Sequence, residues 1–252
     1  FSPDGSLLAT VGEDGIARLW DLKENQIEEF TGHNGRVSRV SFNSDGSLLA
    51  TVGEDKTTRL WDLKGKYITQ FAGHTGCINS VSFNHDGSQV ATAGEDGNVF
   101  LWNLEGKCYT QFTGHQGQLY SVIFNHDGSW LATAGENGTA RLWDLKGNLK
   151  AEFTGHQGKI YCVSFNYDSS RLATAGENST ACLWDLKGNQ LALCEGHQRE
   201  VWRVCFSRDG QQLITSSDDG TIRFWDLKGK ELSQLRVGGL GHGLYISLHK
   251  DG

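Results

Sequence analysis

Apolar residues fall in short clusters along the whole chain, each closed by Gly, Asp or Asn. Within residues 32–72, Val37, Val40 and Phe42 mark a first segment. Leu48, Leu49 and Ala50 mark a second, after the Asp45-Gly46 turn signal, and residues 57–61 and 67–71 read as a third and a fourth. Runs this short, bounded by turn residues, predict the strands of an antiparallel meander and not helices. A four-stranded unit cannot bury both of its faces alone, so several must stack.

The pattern recurs. Trp20, Trp61, Trp102, Trp143, Trp184 and Trp225 stand 41 residues apart, each followed by Asp, or by Asn at Asn103. Gly-His pairs recur at the same period from Gly32-His33 to Gly196-His197, and Phe-x-x-Asp-Gly or a near variant from Phe1 to Phe206. Such self-similarity sets the architecture before any single residue does. These markers together resemble the WD40-repeat family of β-propellers, over the full chain. The resemblance implies an all-β fold: a closed β-propeller of six four-stranded antiparallel blades, forming one domain over residues 1–252. Five blades are 32–72, 73–113, 114–154, 155–195 and 196–237. The sixth is composite, with residues 1–31 giving its last three strands and 238–252 its first. Ile246, Leu248 and Asp251-Gly252 match Val40, Phe42 and Asp45-Gly46 if one inserted residue is allowed, which makes Gly241-His242 a decoy. A larger array cut short is the rival reading.

Composition narrows the functions. With 30 acids against 23 bases the formal charge is −7, which argues against a nucleic-acid or anionic-membrane partner. No apolar run reaches the roughly 20 residues of a membrane helix. The chain opens at Phe1 and has no methionine, as an excerpt or processed segment of a longer product would. Six cysteines hold unrelated repeat positions without Cys-x-x-Cys or zinc spacing, so buried, reduced thiols at strand positions, no metal and a cytoplasmic setting are expected.

The family resemblance also implies hydrogen-bonded tetrads of His, Thr, Asp and Trp: His33, Thr51, Asp55, Trp61; His74, Thr92, Asp96, Trp102; and His197, Thr215, Asp219, Trp225. Two blades carry an amide in place of the acid and should form weaker networks: His115, Thr133, Asn137, Trp143 and His156, Thr174, Asn178, Trp184. A Thr-His-Asp set invites an enzymatic reading, but its recurrence in blade after blade favours structure. No nucleophile elbow, phosphate loop or zinc-protease motif is present, so neither catalytic residues nor a cofactor is expected.

In this architecture the Gly-His loops and the turns between second and third strands share one face, the top. Just before each tetrad acid stand Glu13, Glu54, Glu95, Glu136, Glu177 and Asp218, a ring suited to a cationic ligand. Repeat copying explains that ring equally well. It does not explain the variable positions after each histidine, which include Arg36, Lys159 and, in three consecutive blades, Tyr120, Tyr161 and Trp202. Aromatic anchors inside a polar rim are the usual centre of a protein interface. The expected function is therefore a non-catalytic scaffold, monomeric, docking a protein or peptide (a basic one included) as one module of a signalling protein. A small-ligand or metal-binding propeller with hydrolytic activity and a structural spacer are the alternatives. Opposite the top face, Lys23, Lys64, Lys146, Lys187 and Lys228 read as solvated, like His85 and His126 in their turns.

Overall fold

The computed structural model describes residues 1–237. Every regular element among them is a β-strand, and the strands form six antiparallel sheets. The first has three strands: β1 (Leu7–Val11), β2 (Ala17–Asp21) and β3 (Gln26–Phe30). The other five have four each. They comprise β4 (Val37–Phe42), β5 (Leu48–Gly53), β6 (Thr57–Asp62) and β7 (Tyr67–Ala72); then β8 (Ile78–Phe83), β9 (Gln89–Gly94), β10 (Val99–Asn103) and β11 (Cys108–Phe112). The fourth sheet holds β12 (Leu119–Phe124), β13 (Trp130–Gly135), β14 (Thr139–Asp144) and β15 (Leu149–Thr154). The fifth holds β16 (Ile160–Phe165), β17 (Arg171–Gly176), β18 (Thr180–Asp185) and β19 (Gln190–Glu195). The sixth holds β20 (Val201–Phe206), β21 (Gln212–Ser217), β22 (Thr221–Asp226) and β23 (Glu231–Arg236). The predicted meander is thus present in every repeat. The expected first strand of the composite blade, residues 238–252, lies outside the described residues, as does Gly241-His242.

First strands of successive sheets pack on one another, β4 on β8, β8 on β12, β12 on β16 and β16 on β20, so they are the inner strands. Small polar side chains stitch them together. Ser80 Oγ accepts the Val122 N–H at 3.1 Å, Ser121 Oγ accepts the Val163 N–H at 3.3 Å, and Asn79 Nδ2 donates to the Leu119 carbonyl at 3.0 Å.

The cores lie between sheets, not within them, because the middle strands expose an apolar row on both faces. Ala91, Val99 and Phe112 of the third sheet meet Leu119, Val122 and Trp143 of the fourth. Four of the repeat tryptophans reach the outer-strand phenylalanine of the preceding sheet: Phe30–Trp61 (5.8 Å), Phe71–Trp102 (5.6 Å), Phe112–Trp143 (5.8 Å) and Phe153–Trp184 (5.8 Å). Such aromatic pairs add about 0.5–1.5 kcal/mol each beyond burial.

The series breaks at one place. Phe30, Phe71, Phe112, Phe153 and Cys194 are at most 2 % exposed, whereas Leu235, at the same repeat position, is 56 % exposed. Across from it, Thr10 of β1 is exposed where Thr51, Thr92, Thr133, Thr174 and Thr215 are fully buried. Leu235 of β23 and Thr10 of β1 are thus the two exposed members of otherwise buried columns, and both flank the first-strand position of the three-stranded sheet.

Candidate functional site

The tetrads have a definite proton order. Trp61 Nε1–H donates to Thr51 Oγ1 at 2.9 Å, and His33 Nε2 lies 2.8 Å from the same oxygen, while Nδ1 faces Asp55 at 2.9 Å. An ionised carboxylate only accepts, so Nδ1 carries the hydrogen of the neutral ring and the Thr51 hydroxyl donates to Nε2. The sets at His74–Asp96 and His197–Asp219 repeat this arrangement, with Nδ1 to carboxylate distances of 3.0 and 2.8 Å. Burial holds all three imidazoles below the usual histidine range, although their carboxylates pull the other way. Burial alone would raise Asp219, but bonds from Thr221, the Gln198 N–H and His197 bring it down to about 2.

The two amide blades differ from each other. Asn178 Oδ1 accepts from His156 Nδ1 at 2.8 Å, so that network is complete. His115 keeps its bond to Thr133 (2.7 Å), and Trp143 donates to the same hydroxyl at 2.8 Å. Its Nδ1 is nevertheless buried with no hydrogen-bond partner among the described residues, as is Arg141 Nη1. Burial, then the Arg141 charge, pushes His115 down to about 3, against a smaller upward pull from Asn137, which lies nearby without meeting hydrogen-bond geometry. The neighbouring repeats explain the contrast. Arg59 and Arg223 each approach a tetrad Asp at 3.8 Å, whereas blade five pairs its amide with Cys182 at the arginine position. Only blade four combines the arginine with an amide. The first sheet retains the Trp20–Thr10 bond (2.8 Å), and Asp14 there binds Arg18 at 2.7 Å.

These groups cannot act as nucleophiles. Every tetrad threonine from Thr51 to Thr215 is 0 % exposed, with its hydroxyl engaged by both Trp and His. Burial also raises the thiols of Cys182, Cys194 and Cys205 to about 12, which leaves them inert; Cys108, in contrast to the buried thiols expected, is exposed.

On the top face, side chains from β4, β8, β12, β16 and β20 line one central cavity of about 240 Å³. Tyr120, Tyr161 and Trp202 come together in its wall. The Tyr161 and Trp202 rings stack at 4.1 Å and 20°, and Tyr120 meets Tyr161 edge-on at 5.4 Å. The shelf is half-buried, and Trp202 Nε1 has no hydrogen-bond partner among the described residues. Burial and then the Glu177 and Glu200 charges raise the Tyr161 phenol to about 12; burial and then Glu136 raise Tyr120. The acidic potential therefore reaches the shelf.

The acids themselves sit differently from a ring pointing at the opening. Glu95 lines the cavity; Glu13, Glu54, Glu136 and Glu177 are exposed outside it, and Asp218 is half-buried. Glu54, Glu136 and Glu177 fold back to accept the backbone N–H of Arg36 (3.3 Å), Gln118 (3.2 Å) and Lys159 (3.0 Å), so they also brace the Gly-His loops. Arg36 lines the cavity and pairs with Glu54 at 3.4 Å, whereas Lys159 is not among the lining residues. Arg39 and Arg203 do line it, at the repeat position where Ser80, Ser121 and Cys162 are small and buried. Aligning the repeats column by column would have exposed this departure in the sequence.

Among the described residues no group of three or more His, Cys, Asp or Glu side chains is arranged to hold a metal ion, and no helix is long and apolar enough to cross a membrane. Residues 54–241 match the family model for the first β-propeller of IFT122, and residues 1–21 and 24–62 match the WD domain, G-beta repeat. No curated protein matches the chain. With sheet, repeat, tetrad and family model in agreement over most of its length, the chain belongs to the WD40-repeat β-propeller family.

Proposed function

We propose that this propeller is a non-catalytic docking module that holds a protein or peptide segment on its top face. One observation carries the reading: three aromatic side chains that repeat copying does not explain converge in one central cavity. Large, rigid rings give contact area at low entropic cost, and a few such anchors dominate most interfaces. The outer acids then steer the encounter, favouring a segment with Lys or Arg beside an apolar residue. Inside the cavity, Arg36, Arg39 and Arg203 favour an acidic or carbonyl-rich portion of that segment. Selection of displayed random peptides on the intact chain, counter-selected on Trp202→Ala, tests this reading. Enrichment of basic–apolar sequences supports it; sequences that bind both proteins equally contradict it.

Ring closure belongs to the same proposal. Residues 238–252 supply the first strand beside β1 and cover Leu235, completing a six-bladed domain with a single rigid top face. The exposed surface on both flanks of that position supports this assignment. A role as one module of a larger signalling protein extends the proposal by analogy with the fold alone.

A further inference from the structure

On the face opposite the aromatic shelf, the turn between first and second strands of one sheet borders a crevice shared with the next sheet. Two of these crevices lie two repeats apart. One involves Asn84, Asp86, Ser88 and Leu145; the other has Asn166, Asp168, Ser170 and Leu227 at the same repeat positions. Copying accounts for their common shape, with volumes of about 220 and 300 Å³. It does not account for their chemistry. His85 and Gln89 in the first are replaced by Tyr167 and Arg171 in the second, and Arg208 of the second stands at the repeat position of His126.

We propose that the crevice between the fifth and sixth sheets binds a phosphate group carried on a planar ring. Arg171 and Arg208 reach it from opposite walls, and among the described residues no carboxylate lies within 4.0 Å of either guanidinium. Guanidinium forks match phosphate oxygens in geometry as well as charge. Tyr167 is 72 % exposed, and the His126 ring 4.3 Å away buttresses it, so a flat surface is held open for stacking. Asp168 and Asp209 also line the crevice. Each is tied into its own turn: Asp168 Oδ1 accepts from Asn166 and the Ser170 N–H, and Asp209 Oδ1 from Ser207 and the Gln211 N–H. The two arginines balance these acids, so recognition rests on directed donors and the ring, not on a net positive field.

Calorimetric titration of the full chain with phenyl phosphate, AMP and inorganic phosphate tests the site. The ring-bearing phosphates should bind at one site per chain. Arg171→Gln with Arg208→Gln should weaken them about tenfold or more, the scale of lost charge-assisted hydrogen bonds. Tyr167→Ala should weaken phenyl phosphate and AMP about fivefold, as lost stacking does, and leave inorganic phosphate unchanged. Trp202→Ala and Lys187→Ala should change nothing, which separates this site from the top face and from the surface lysines. Tighter AMP than phenyl phosphate identifies a nucleotide; the reverse identifies an aryl phosphate such as a phosphotyrosyl side chain. No binding at millimolar concentration, or binding unmoved by the arginine pair in variants that melt like the parent chain, overturns the proposal.

Discussion

Asn137 is the residue at which the repeat contradicts itself. Among the described residues it leaves His115 Nδ1 buried without a hydrogen-bond partner, where Asp55 and Asp219 accept from the equivalent imidazoles and stand 3.8 Å from an arginine Nη2 of their blades. Asn137→Asp should therefore stabilise the fold by about 1 kcal/mol, the scale of a restored charge-assisted bond. Denaturant midpoints check the stability, and a His115 titration moving upward by NMR checks the cause. Asn178→Asp should gain less, because Asn178 already accepts from His156 and no arginine waits beside it. The buried histidines also set an acid limit. Their folded-state values lie below the ordinary 6.5, so below pH 6.5 the unfolded chain takes up protons that the native rings refuse. Stability should be full above that pH and fall as pH drops through it. His115 contributes about 1.4 kcal/mol per pH unit until its native value near 3 is reached. Asp55, Asp96 and Asp219, also lowered, add to the loss below 3.8. Urea midpoints measured from pH 7 to pH 4 should decline steadily; a flat profile would mean that the rings are not buried and neutral.

At the scale of the element, the turns between strands carry their own irregularities. Gly15, Gly97, Gly138 and Gly220 occupy left-handed backbone before the third strand, and at the same repeat position Lys56 (φ 65°) and Ser179 (φ 62°) do so without being glycine. A side chain costs about 1 kcal/mol or somewhat more in this region. Lys56→Gly and Ser179→Gly should each raise the denaturant midpoint, with a stability gain of up to about 1 kcal/mol once the freer unfolded chain is counted. Gly97→Ala should do the reverse, because φ is +72° and its Cβ would stand 2.9 Å from the Gly117 carbonyl. Within residues 1–237, strand number, order and turn positions were legible in the sequence, since period, turn signals and apolar clusters agreed. Positive φ at Lys56 and Ser179 was legible only by reading down the repeat columns. The backward bend of Glu54, Glu136 and Glu177 onto loop N–H groups had no sequence signal, as each acid reads equally well pointing outward.

For the whole molecule, the proposed closure bears on docking, because five inner strands line one cavity and a first strand from residues 238–252 would add a sixth. A chain ending at Val237 should keep its strands yet leave Leu235 and β1 uncovered. Association into dimers or larger species by light scattering is the expected outcome, since an open sheet edge pairs with another. A truncated chain that stays monomeric with an unchanged melting temperature would count against closure by residues 238–252. The location of the aromatic shelf was legible because Tyr120, Tyr161 and Trp202 break a repeated column. Arg39 and Arg203 break their column too, but nothing in the pattern says that they line the cavity, because the other repeats place buried Ser and Cys at that position. The most direct measurement is the affinity of a selected peptide for the parent chain, Trp202→Ala and Lys187→Ala at equal ionic strength. Docking on the top face predicts a loss of about 2 kcal/mol or more for Trp202→Ala, the mark of an anchor, and no change for Lys187→Ala. Equal losses from both variants, or none from Trp202→Ala, would contradict it.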